Sequence, residues 1–168
     1  MSDNTTQITA TEAVYNELNL DTKVTVKNIA DWNVGFVRKA DGYGDVSIAP
    51  NGSIRLSRNE IIAQVQSGNK LFCGIDGSGS HATLYIEDAP TRLEVGFDTK
   101  DSKQKAFTNV NVKTLFAIKN QKDFEASFCD NIHTRAEKYA IIGAMKKAGV
   151  NDYSKIRFVE QYTGYKFQ

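Results

Sequence analysis

The sequence predicts an α+β chain. Its first part is an antiparallel β-sandwich or small barrel with one inserted short helix, and a small three-helix module follows. Three observations carry this. Between residues 23 and 97, short runs of alternating polar and apolar residues are broken by frequent turn residues, the pattern of half-buried strands. After residue 120 the apolar spacing becomes helical, and each run has its own start and stop residue. The charge also divides: residues 1–112 hold 11 Lys+Arg and 14 Asp+Glu, a net of −3, whereas residues 113–168 hold 10 and 6, a net of +4. The expected parts are a polar arm and short helix (1–22), a β-rich domain (23–98), a linker or edge segment (99–112) and the helical module (113–168).

The polar start, SDNTTQ, lacks the basic and apolar regions of a signal peptide, so the chain is expected to be made in a cytoplasm with Cys73 and Cys129 reduced. Both cysteines adjoin aromatic residues and read as small buried hydrophobes. Thr11 to Leu20 reads as a short helix capped by Thr11. Lys23–Lys27 alternates as a strand with one wet face. Trp32–Arg38 is rich in β-formers, with Gly35 marking a bulge or a close backbone approach. Asp41–Gly44 is a loop, Asp45–Ile48 a strand, Pro50–Gly52 a turn and Ser53–Leu56 a strand.

Ser57 and Glu60 stand at capping-box spacing and open a helix that Gly68 closes, with Ile61, Ile62 and Val65 on its apolar face. Lys70–Ile75, Ala82–Glu87 and Arg92–Phe97 read as strands, and Asp76–Ser80 as a loop between two of them. Asp98–Lys105 (DTKDSKQK) offers little to bury and is the expected linker. Ala106–Ile118 suits a strand followed by a turn of helix. Asn120 starts one helix, with Phe124 and Phe128 on one face. Thr134 and Glu137 form a second capping box for a helix ending at Gly149, and Asp152 opens a third that Gly164 stops. Trp32-Asn33-Val34-Gly35-Phe36 is echoed by Leu93-Glu94-Val95-Gly96-Phe97, though three matched residues do not make a repeat.

Composition excludes several functions. The chain has 168 residues, 40% hydrophobic and 24% charged, with a formal net charge of +1. No apolar stretch reaches the roughly 18–20 residues of a membrane span. The near-zero charge gives no global field for nucleic acid or membrane. Two cysteines make no disulfide framework.

No catalytic residue, cofactor-binding residue or metal ligand is assigned. Asp76-Gly77-Ser78-Gly79-Ser80-His81 is glycine-rich, but a phosphate loop needs a following helix and usually a lysine, and a β-like run follows instead. His81 with Cys73, and His133 with Cys129, fall short of the three or four ligands of a zinc site. The acids Asp41, Asp45, Glu87 and Asp88 form no ligand ladder for calcium.

The run Lys27–Asp88, with its segments KNIADWNVGFVR, GDVSIAPNGSIRLSRNEIIAQVQSGNKLF and GIDGSGSHATLYIED, resembles the small auxiliary virion proteins of tailed bacteriophages, the accessory capsid or head-decoration class. The resemblance implies a non-enzymatic β-rich module that attaches in many copies to a particle surface. Its partners would be other virion proteins such as a major capsid protein, or further copies of itself, and its location the virion after synthesis in the host cytoplasm.

The partner-binding residues read from the sequence are Tyr43, at a loop end, and the basic Lys138, Lys146, Lys147 and Arg157. Trp32 is read as core, because a lone Trp buries a large area. The alternative function is a small regulatory or anti-defence binding protein. It would contact nucleic acid or a nucleoprotein through the basic C-terminal helices, whose interleaved aromatics supply stacking faces.

Overall fold

The structure is a computed structural model and describes residues 18–168, in which strands and helices form a mixed α+β fold. The helix read from Thr11 falls mainly outside the described residues, and Leu18–Leu20 are not helical.

Five strands make two antiparallel sheets and no closed barrel among the described residues. β1 (Lys23–Asn28) lies at the centre of a three-stranded sheet, between β4 (Ser53–Ser57) and β5 (Leu84–Ile86). β2 (Val34–Val37) and β3 (Asp45–Ile48) form a separate hairpin. The alternation read in β1 is the observed one: Val24 and Val26 point into the core, with Val26 opposite both Ile54 and Ile86. Gly35 keeps the hairpin register opposite Ser47, so there is no bulge. It marks a close approach instead, since a Cβ there would lie 3.1 Å from the Val46 carbonyl oxygen.

Asn28 ties the two sheets together. Its buried amide donates to the carbonyls of Trp32 at 2.9 Å, Ile48 at 3.2 Å and Ala49 at 3.0 Å, and its side-chain oxygen accepts from the Ala30 N–H at 2.8 Å. One core then serves both sheets: Val24, Val26, Leu56, Leu84 and Ile86 meet Val34, Val46 and Ile48 in it, together with Phe72 and Phe97. Trp32 is half-buried against this core, with the Arg135 guanidinium 4.9 Å from its ring.

Seven helices complete the described fold: α1 (Arg58–Gln66), α2 (Lys70–Cys73), α3 (Ala89–Glu94), α4 (Val112–Phe116), α5 (Gln121–Asn131), α6 (Arg135–Ala148) and α7 (Tyr153–Thr163). The side chains of Ser57, Asn120, Thr134 and Asp152 each accept the first-turn N–H their positions predict. The three expected C-terminal helices are α5, α6 and α7, and α4 adds one turn before them after a 3₁₀ turn at Phe107–Asn109.

Two expected strands are helices. Lys70–Ile75 begins with α2, capped by Asn69, whose side chain accepts the Leu71 N–H at 3.0 Å. A short apolar run has no period that separates a buried strand from one buried helical turn. Arg92–Phe97 lies in α3 and the turn that ends it. Asp88 caps this helix, accepting the Thr91 N–H at 3.1 Å, and Pro90 sits in its first turn, where a missing N–H costs nothing. The echo between residues 32–36 and 93–97 is therefore not structural: one is a strand, the other a helix end.

The stretch read as a linker is also built into the fold at both ends. Asp98 and Gln104 are buried. Asp98 accepts from Arg92 Nε at 2.9 Å and from the Gln104 N–H at 2.8 Å.

The helices build a second core from Phe124, Phe128, Ile132, Ile141, Met145 and Val159, edged by Phe116, Phe158 and Tyr162 in edge-to-face contacts. Lys155 reaches through this region to donate to the Phe116 carbonyl at 2.6 Å. The two cores adjoin: Phe107 packs on both, and Ala136 of α6 belongs to the β-sheet core.

Candidate functional site

Tyr43 stands at the tip of the β2–β3 hairpin with 102% relative exposure, and Val37 at the end of β2 is 63% exposed. The loop beneath is held from inside. Glu60, in the first turn of α1, has no exposed surface, yet its carboxylate does not accept the Ser57 backbone N–H as a reciprocal capping box requires. It accepts the backbone N–H groups of Lys39 at 2.9 Å, Ala40 at 2.7 Å and Asp41 at 2.8 Å, and the Gln64 amide at 2.7 Å. Burial pushes this carboxyl up, but the bonds from Gln64, Asp41, Ala40 and Lys39 outweigh it and hold the group below its ordinary range. Asp41 in turn accepts the Ser57 hydroxyl at 2.6 Å. One buried carboxylate thus anchors three successive N–H groups, leaving the aromatic tip free above a fixed base.

The basic residues read as a contact set do not gather at one place. Lys138 is half-buried, its Nζ 4.7 Å from the Tyr162 ring centre. Lys146 is exposed near the end of α6. Lys147 lines a hollow with Lys27, Ile29 and Tyr139, whereas Arg157 lines another with Tyr153, Glu160 and Lys166. At about 100° per residue, Lys138 and Lys147 lie on opposite sides of α6.

Sequence reading missed the meeting of both histidines with Glu137. His81 Nδ1 lies 2.8 Å from Glu137 Oε1, and the two imidazole rings are 4.2 Å apart. The other carboxylate oxygen, Oε2, accepts the His133 N–H at 2.7 Å and the Thr134 N–H at 3.3 Å. Glu137 therefore serves its capping box with one oxygen and His81 with the other. The only local signal was the capping box itself.

His81 is positioned by the glycine-rich loop, which connects α2 to β5 and not two strands. Gly74 has φ +68°, and a Cβ there would overlap the Ser80 carbonyl. Asp76 accepts the N–H groups of Ser78 at 2.8 Å and Ser80 at 3.1 Å. His81 itself has φ +58°, a left-handed conformation uncommon for a side-chain-bearing residue, and its N–H bonds the Lys105 carbonyl at 2.7 Å.

Cys73 is buried, donates weakly to the Val65 carbonyl at 3.5 Å, and its thiol is pushed up by burial. Cys129 is half-buried and also free. Among the described residues, no three His, Cys, Asp or Glu side chains are arranged to hold a metal ion, and no helix is long and apolar enough to cross a membrane. Comparison with protein-family models, curated proteins and solved structures finds no match for this chain.

Proposed function

We propose that the protein is a non-enzymatic assembly part that attaches to a protein partner through the Tyr43 tip. The observation that carries this reading is a fully exposed tyrosine on a loop fixed by the buried Glu60 carboxylate. An aromatic side chain offers a large contact area for two side-chain torsions, and a loop already held in place loses little further freedom on binding. Asp45 beside the tip is exposed, which suits an apolar socket with a basic rim.

The sequence resemblance sets this contact on a phage particle, as an accessory or head-decoration protein with a major capsid protein as partner. A weak single contact is sufficient there, because repeated attachment multiplies apparent affinity where geometry allows. The test is mass spectrometry of purified particles from the source, with copy number measured, beside particles assembled with Tyr43→Ala protein. Many copies of the native chain, and few of the variant, are expected. Particles without the chain, or equal retention of the variant, would overturn the reading. Salt-dependent oligonucleotide binding that is lost on charge reversal at Lys146 and Lys147 would redirect the function to the basic helices.

A further inference from the structure

The β2–β3 hairpin has two edges, and one of them is open. Its ladder closes at the loop with a bond from the Arg38 N–H to the Gly44 carbonyl at 3.0 Å. Bonded and non-bonded pairs alternate in an antiparallel ladder, so Phe36 bonds Val46 and Val34 bonds Ile48. The backbone groups of Gly35 and Val37 therefore point away from β3, and those of Asp45 and Ser47 point away from β2. On the β2 side the Val37 carbonyl accepts the Gln64 amide at 2.8 Å, so α1 covers that edge. On the β3 side the N–H and carbonyl groups of Asp45 and Ser47 have no hydrogen-bond partner among the described residues, and both residues are exposed. A row of unpaired strand groups at the surface is a template for another strand.

The outer edges of the three-stranded sheet are taken or poorly matched. Leu84 and Ile86 of β5 are buried, and the Ile86 carbonyl accepts Arg92 Nη1 at 2.6 Å. In β4 the Ser57 N–H points to Asp41 Oδ2 at 3.4 Å, and Arg55 lays its guanidinium on the Lys23 carbonyl at 2.7 Å. A second copy laid along β4 would offer Arg55 another arginine or a serine, and no carboxylate.

We propose that β3 pairs antiparallel with β3 of a second copy about a two-fold axis, with Val46 opposite Val46 and Asp45 opposite Ser47 in both directions. Residues whose backbone faces outward must meet residues that do the same, which leaves few registers. Asp45 opposite Asp45 sets like charges against each other, which destabilises a sheet. Ser47 opposite Ser47 leaves Asp45 facing Ala49, whose carbonyl already accepts the Gly52 N–H at 2.9 Å. The register of Asp45 with Ser47 uses both outward residues of each strand and sets a hydroxyl donor beside each carboxylate. The contact is the same patch on both copies, so it closes as a dimer and does not grow into a filament. Two hairpins become one sheet in the order β2-β3-β3-β2. The edge lies along β3, apart from the Tyr43 tip, so this inference stands independently of the attachment read there. The paired stretch is short, far from the roughly 1,200–2,000 Å² of a standard interface, and the dimer is accordingly weak, with a Kd of about 0.1 mM.

The test is sedimentation equilibrium of the full chain between about 10 µM and about 1 mM, with amide hydrogen exchange followed by NMR at both ends of that range. A reversible monomer–dimer equilibrium is expected. The amides of Asp45 and Ser47 should gain protection with concentration, while that of Val46, already inside the hairpin ladder, should not change. Ser47→Pro removes an N–H that the hairpin itself does not use and should leave a monomer. Two exposed charge variants test the register without touching the core. Ser47→Lys sets an ammonium opposite Asp45 twice by symmetry and should tighten the dimer about tenfold; Ser47→Asp sets two carboxylates opposite and should weaken it about as much. Tyr43→Ala should leave the dimer unchanged. A monomer throughout the range, a dimer that survives Ser47→Pro, weakening by Ser47→Lys, or loss of the dimer in Tyr43→Ala would overturn the pairing.

Discussion

His81 and Glu137, fifty-six positions apart, share a buried hydrogen bond of 2.8 Å that joins the loop after α2 to the first turn of α6. Glu137 has no exposed surface, and the same carboxylate takes the N–H groups of His133 and Thr134. Replacing it with alanine leaves three donors without their acceptor. Each buried donor left unsatisfied costs about 1–3 kcal/mol, so a loss of about 3 kcal/mol or more is expected, and in a chain of this size that lowers Tm by roughly 10 °C. A double-mutant cycle of His81→Ala and Glu137→Ala, followed by urea unfolding, should give a coupling of about 1–3 kcal/mol. Additive single effects would mean that the pair is only a contact.

That pair marks the limit of what local sequence can say. Ser57, Asn120, Thr134 and Asp152 announced their helices because a cap is read within three residues of its target. The strands at 45–48 and 53–57 were legible because alternation at period two has no helical equivalent. Lys70–Ile75 carried no period at all, so its single helical turn was mistaken for a strand. Asp88 and Pro90 did carry the start signal of α3, but they stand between two runs rich in β-formers, which masked it. Glu60 was legible as a helix-start residue. Its use as an anchor for residues 39–41 depends on a fold-level approach of the hairpin to α1, as does the meeting of His81 with His133 and Glu137. Of the contact set, Tyr43 was read from its place at a loop end. The basic residues were grouped by nearness in sequence, which helix geometry then separated.

Acid should unfold the protein through its anchored carboxylates. Glu60 stands below its ordinary range because four hydrogen bonds outweigh burial. Asp88 does so because bonds from Arg58 and Thr91 outweigh the same burial. A depressed folded value means that the unfolded chain binds the proton more readily. The stabilisation is therefore complete above the unfolded values, near pH 4, and is lost as pH falls through the folded ones. Glu60→Gln cannot titrate. It should be about 2 kcal/mol less stable at pH 7, with a shallower loss between pH 5 and pH 2 in urea melts. A slope equal to that of the native chain would remove Glu60 from the acid transition.

Tyr43→Ala separates binding from stability. A side chain that touches nothing contributes little to folding, so the unfolding free energy should stay within about 0.5 kcal/mol of the native chain. Loss of an aromatic anchor in an interface costs about 2 kcal/mol or more, roughly thirtyfold in affinity. Glu60→Gln should weaken the same attachment with Tyr43 intact, because the tip would then have to be ordered on binding. Attachment that survives both changes places the contact elsewhere.

Two glycines give a matched test of why the His81 loop is rigid. Gly42 and Gly74 both have positive φ, +86° and +68°, so alanine is strained at either. Around Gly42 there is open space, and Gly42→Ala should cost only the conformational strain of about 1 kcal/mol. At Gly74 the added methyl would also meet the Ser80 carbonyl, a backbone group that cannot swing aside as a side chain does. Relief requires the loop to move, and Ser80 directly precedes His81, so its movement also strains the bond to Glu137. Gly74→Ala should therefore cost about 3 kcal/mol or more by urea unfolding, and the His81 ring resonances should shift while those of Tyr43 stay in place. Equal costs at the two sites would show that the loop yields freely and that His81 is held by Glu137 alone.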